Sequence, residues 1–124
     1  MILVDTSVWI DHLHRAEPRL QGLLVDDRVA MHDEVLGELA LGSMRERATV
    51  LTLLGSLHRA PRLGGDEFLH LVDTARLWGR GLGVVDAHLL GSALLGNLTI
   101  WTRDRRLRAA ADDLGVSTVG GHQP

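Results

Sequence analysis

Apolar positions run in short unbroken blocks in some parts of the chain and recur every three or four residues in others, and the two rhythms separate strands from helices. Ile2 to Val4 is a brief β-branched-rich block, too short for a helix and predicted to be the first strand. Thr6 or Ser7 then caps a helix to about His14, with Trp9 and Leu13 four apart on one face. Pro18 suits a first helical turn, so a second short helix is expected through Leu20, Leu23 and Leu24. Val29 to Met31 reads as the second strand. Asp33 opens a helix with Val35, Leu36 and Leu39 on its apolar side, ending near Gly42. Met44 to Leu57 predicts a further helix, and "HRAPRL" a connection with room for a short strand.

Phe68, Leu71, Val72, Ala75 and Trp78 make the plainest amphipathic pattern in the chain and predict a helix from Asp66 to the Gly79–Gly83 region. Asp86 sits in the first turn of a helix running to about Leu95. "NLTIWT" reads as a strand, Asp104 to Asp112 as a short helix and "GVSTV" as a last strand. Strands separated by helices favour right-handed crossovers and a central, mostly parallel sheet covered on both faces, a three-layer α/β/α sandwich. A chain of 124 residues is expected to form one domain over 1–124, and only the tail Gly120 to Pro124 reads as a linker.

Composition narrows the chemistry. With no cysteine, disulfides, zinc–thiolate sites and thiol nucleophiles are excluded together. All 13 basic residues are Arg, which removes a P-loop, whose Lys holds phosphates, and a Schiff-base enzyme, which needs an amine. A net charge of −3 argues against coating nucleic acid through bulk electrostatics, so any phosphate affinity must be local. No apolar run approaches the roughly 18 residues that span a bilayer. The expectation is a soluble, cytoplasmic protein with no membrane partner. "GRGLG" lacks dinucleotide-binding spacing and follows a helix, which discards that reading.

Ligands of open parallel sheets bind beyond the carboxyl ends of the strands. Asp5 follows the first strand, Glu38 lies in the helix after the second, Asp86 opens the helix after the glycine-rich turn, and Asp104 closes "LTIWTRD". Four carboxylates at one sheet end repel one another unless a cation neutralises them, and hard Mg²⁺ or Mn²⁺ takes carboxylate and water oxygens without a His or Cys cage. Simpler readings exist for single members. Asp5 can be a capping carboxylate, Asp86 can complement the helix dipole, and Glu34, one turn from Glu38 on the same face, competes with it or stands behind it.

Four segments in register, "VDTSVWID", Glu38 in "DEVLGELALG", "VVDAHLLGSAL" and "TIWTRDRRL", resemble the signature segments of the PIN-domain ribonucleases, in particular VapC-type toxins of toxin–antitoxin pairs. The resemblance covers essentially the whole chain. It implies a metal-dependent endoribonuclease, with Asp5, Glu38, Asp86 and Asp104 as catalytic residues holding Mg²⁺ or Mn²⁺ and Thr6 and Thr102 as polar neighbours. It further implies an RNA substrate, a VapB-type antitoxin masking the cleft, and a homodimer. Leu107 departs from the aromatic residue that relatives often carry after this step, a matter of packing rather than chemistry.

Arg103, Arg105, Arg106 and Arg108 flank Asp104 and are candidates for RNA phosphate contact, with a solvated helix face as the alternative. Trp9, Trp78 and Trp101 coincide with apolar periodicity or a strand, hence core or interface, base stacking being the lesser reading. His12 and His14 point to different helix faces and share no metal. Two other function classes compete. A non-catalytic RNA- or antitoxin-binding module would be favoured by a lost acid, and none is lost. A phosphoryl-transfer domain built on Asp5 wants either a Lys or a second Asp where Ser7 stands.

Overall fold

The computed structural model describes residues 1–120; the rest of the linker-like tail lies outside the described residues. In chain order the elements are β1 (Ile2–Val4), α1 (Thr6–His14), α2 (Pro18–Val25), β2 (Val29–Met31), α3 (Asp33–Leu41), α4 (Arg47–Gly55), β3 (His58–Arg59), α5 (Gly65–Thr74), α6 (Val84–Gly96), β4 (Thr99–Trp101) and α7 (Arg105–Asp113). The strands form one sheet in the order β3-β2-β1-β4, and every pairing is parallel. β1 and β2 are buried along their whole length, which is why they read as unbroken apolar blocks. Helices cover the sheet to give the α/β/α sandwich expected from the sequence.

The strand order creates a crevice. Connections step from β1 to β2 to β3 in one direction, then the chain returns to place β4 on the other side of β1. The reversal falls between β1 and β4, where connections diverge and leave room beyond the carboxyl ends. Register fixes what lies there: Val4 stands opposite Trp101, and the Asp5 N–H donates to the Trp101 carbonyl at 2.8 Å. Asp5 and Thr102 therefore leave neighbouring strands side by side.

Helix ends follow a repeated device. In α2, α5, α6 and α7 one residue after the last turn turns left-handed, and the next N–H bonds back into the helix: Arg28 to Leu23, Leu77 to Val72, Leu98 to Ala93 and Val116 to Ala111. The left-handed residues are Asp27, Arg76, Asn97 and Gly115, so three of these closures carry a side chain.

The closure of α5 corrects the reading of its apolar stripe. The helix ends at Thr74, and reversal at Arg76 sends Leu77 into the core while Trp78 is left 62% exposed. Trp9 and Trp101 are buried as expected. A second correction concerns "GVSTV". It makes one parallel bridge, Thr118 to Ile100, because the left-handed Gly115 and Gly120 bracket an extended stretch too short for a ladder. The fourth helix is shorter than Met44–Leu57, since Glu46 is left-handed and delays its start.

Candidate active site

The acids are mounted one by one at the crevice. Asp5 is the N-cap of α1 and is only 5% exposed. Its Oδ1 accepts the Thr6 N–H at 2.7 Å, and its Oδ2 accepts the hydroxyls of Thr102 at 2.6 Å and Ser7 at 2.9 Å. Three donors on a buried carboxylate fix its orientation, because any rotation would leave them without an acceptor. The β1 strand thus ends on a carboxylate that a strand, a helix start and a neighbouring strand hold together.

Asp104 is the N-cap of α7, its Oδ1 accepting from the N–H groups of Arg106 at 2.8 Å and Leu107 at 3.3 Å. Its own N–H donates to the Thr102 hydroxyl at 3.0 Å, so Thr102 bridges Asp5 and Asp104 through one oxygen. Asp86 lies in the first turn of α6 with Oδ2 accepting the Gly83 N–H at 2.9 Å. Glu38 is exposed, but the Thr6 hydroxyl donates to its Oε1 at 2.6 Å across 32 residues of sequence. Capping thus accounts for one oxygen each of Asp86 and Asp104; Asp86 Oδ1 and Asp104 Oδ2 accept no hydrogen bond among the described residues.

The other three acids act on Asp86. Asp86 is pushed above the ordinary carboxylate range, mainly by burial, with further upward pressure from Asp5, Asp104 and Glu38 and an opposing pull from its bond to Gly83. A carboxylate shifted by burial together with neighbouring acids marks a candidate functional site. Among the described residues no three acidic or imidazole side chains stand close enough to enclose an ion by themselves. Mg²⁺ keeps several waters and takes only one or two direct carboxylates, so it does not require such a cage. The donor set is all hard oxygen, and it fits the group.

Other sequence-selected residues separate. Glu34 faces Arg62 at 3.6 Å, outside the set of carboxylates that act on Asp86. Arg103 is engaged with Asp11 at 2.7 Å and Glu17 at 3.3 Å, and the Arg108 guanidinium donates to the Thr102 carbonyl at 2.8 Å. Arg105 and Arg106 are exposed and pair with no carboxylate among the described residues. Ser7 was missed by sequence reasoning: it donates to Asp5 and accepts the Arg103 N–H at 3.2 Å. The signal was there in the hydroxyl two residues after a strand-ending acid, which reads equally well as a plain helix cap.

Residues 2–113 match the PIN domain family. The chain belongs to the PIN-domain family. It is 57% identical over 118 residues to Ribonuclease VapC32 of Mycobacterium tuberculosis, an alignment covering 94% of this chain and 95% of that protein. Among solved structures it resembles PAE2754 from Pyrobaculum aerophilum, with a TM-score of 0.60 and 22% identity over 96% of this chain and 89% of the other. FitAcB from Neisseria gonorrhoeae gives a TM-score of 0.60 and 23% identity over 95% and 96%. These two likenesses speak to the fold.

Proposed function

We propose that this chain is a divalent-metal-dependent endoribonuclease and the toxin of a VapBC-type toxin–antitoxin pair. The observation that carries the reading is the pinning of Asp5 and Asp104 by Thr102, and of Glu38 by Thr6, at the sheet's switch point, in a chain so similar to a protein named Ribonuclease VapC32. Those four residues would hold Mg²⁺ or Mn²⁺. What such an ion supplies is neutralisation of the acids and polarisation of the scissile phosphate and attacking water for in-line displacement.

The protein's own part is positioning. Thr102 and Ser7 lock Asp5, Thr6 ties Glu38 to the start of α1, and the caps of α6 and α7 engage only Asp86 Oδ2 and Asp104 Oδ1, so the second oxygen of each would be available to a ligand. Arg105 and Arg106, beside Asp104, offset the local negative potential that an RNA phosphate meets on approach. Single-stranded or looped RNA is the substrate, since its backbone enters an open acidic crevice more readily than a regular A-form duplex does.

The antitoxin reading draws on a groove of about 720 Å³ lined by Ile10, Leu13, Leu39, Met44, Val50 and Glu38. An amphipathic helix laid in it would bury apolar side chains and bring a basic residue to Glu38. A homodimer belongs to the same reading, with exposed Leu69, Leu94 and Leu95 on α5 and α6 as its apolar face.

The test is incubation of purified protein with RNA and Mn²⁺ or Mg²⁺, beside EDTA controls and the variants Asp5→Asn and Asp86→Asn. Cleavage that stops with either chelation or substitution supports the proposal. Cleavage surviving both overturns it.

A further inference from the structure

We propose that Trp78 is a stacking platform for a base of the RNA substrate, an inference that rests on the ribonuclease reading above. Trp78 is 62% exposed, whereas Trp9 and Trp101 are 1% and 7% exposed. A tryptophan left in water forgoes the apolar burial the other two make, and its flat face remains available to a partner. Its backbone is anchored through its neighbour. On one side Leu77 is buried and its N–H bonds to the Val72 carbonyl at 3.0 Å. Left-handed Arg76 and Gly79 bracket the pair, so the backbone turns Leu77 in and Trp78 out.

The loop that presents Trp78 runs to the acidic crevice. Gly81 lies directly against Arg106: a Cβ there would stand 2.9 Å from Arg106 Nη1, and the residue is left-handed at φ 75°. Three residues, at most about 10 Å of chain, separate Trp78 from that contact. Two residues further on, the Gly83 N–H holds Asp86. One loop therefore links an exposed indole, a guanidinium that pairs with no carboxylate among the described residues, and Asp86. Every base has a π-face, so stacking on an indole beside a cation holds single-stranded RNA with little regard to sequence.

The experiment compares wild type, Trp78→Ala and Trp78→Phe. Binding of a fluorescein-labelled single-stranded oligoribonucleotide is followed by anisotropy with Mg²⁺ present, each in an Asp86→Asn background so that the RNA is not consumed. Cleavage is followed in the Asp86 background with Mn²⁺. Trp78→Ala is expected to weaken binding about 5- to 100-fold, the range of one lost stacked base, and to raise KM while kcat at saturation is kept. Trp78→Phe should recover most of the affinity, and the exposed tryptophan's fluorescence should be quenched by RNA. The inference is overturned if Trp78→Ala binds and cleaves like wild type, or if it loses self-association instead, which would make this surface a protein interface. Wild-type protein that neither binds nor cuts RNA brings down the ribonuclease reading itself, and this inference with it.

Discussion

Replacing Thr102 by valine separates the two acids it bridges while leaving the shape of the side chain almost unchanged. Thr102 is 1% exposed, and its hydroxyl donates to Asp5 and accepts from the Asp104 N–H. Losing the bond to the carboxylate costs about 1.5–3 kcal/mol, and leaving a part-buried N–H without an acceptor adds about 1 kcal/mol. Asp5 keeps the donors from Thr6 and Ser7, so collapse of the site is not expected. With an unfolding entropy near 2.1 cal/mol/K per residue, a loss of about 2.5–4 kcal/mol lowers Tm by about 10–15 °C. Freed rotation of Asp5 should also lower cleavage about 10- to 100-fold, as removal of a ligand's supporting partner does. Thr102→Ser, which keeps the hydroxyl, should stay near wild type in both. The assay is thermal unfolding at neutral pH alongside RNA cleavage with Mn²⁺. A Thr102→Val protein melting within about 2 °C of wild type and cutting RNA at the same rate would refute the bridging role.

Further outcomes follow from burial and charge. His32 is fully buried and its basicity is held below the ordinary 6.5 by burial first and by His88 second, so the folded state disfavours its charged form. Stability should be undiminished above pH 6.5 and decline as pH falls below it, and His32→Gln should flatten that decline in a pH series of denaturant midpoints. Asp86 has the opposite linkage: its raised pKa makes the fold lose stability as pH climbs from 3.8 through the folded value. Asp86→Asn should therefore melt higher than wild type at neutral pH, lose that advantage below pH 3.8, and be inactive on RNA. A methyl on Gly91 would overlap Leu63 Cδ1 and crowd Leu71, so Gly91→Val should cost about 1–3 kcal/mol, read by urea unfolding.

The legible parts of the fold were those where one local signal had no rival. β1 and β2 are buried on both faces and announced themselves as apolar blocks; α2 was marked by Pro18 and α7 by Asp104, whereas α1 is capped by Asp5 and not by the Thr6 or Ser7 expected, and the caps Glu17 and His32 of α2 and α3 were not read. The end of α5 was not legible because the apolar period runs past it. Only the back-bond from Leu77 to Val72 shows that the chain has turned, and it turns at an arginine where sequence leads one to look for glycine. "GVSTV" had the composition of a strand without the length to pair. Of the candidate site, the four acids were picked out by the register of their segments, and three of them act on Asp86 in the fold. The hydroxyl bridges were not, since Thr6 meets Glu38 and Thr102 meets Asp5 across 32 and 97 residues that only the fold brings together.

The same distinction explains the arginines. Four cations beside Asp104 look alike in sequence, yet Arg103 is taken up by Asp11 and Glu17, and Arg108 by a backbone carbonyl, which leaves Arg105 and Arg106 facing solvent. Arg105→Ala with Arg106→Ala should weaken RNA binding and reduce its salt dependence, while Arg103→Ala should act mainly on stability.

The proposal that Asp5, Glu38, Asp86 and Asp104 form one cation nest is tested most directly by anomalous diffraction from crystals grown with Mn²⁺. The account predicts a peak at the crevice between β1 and β4, within about 2.3 Å of one or two of these carboxylates and otherwise surrounded by water. A peak bound only elsewhere on the molecule, with the four acids unengaged, would contradict it.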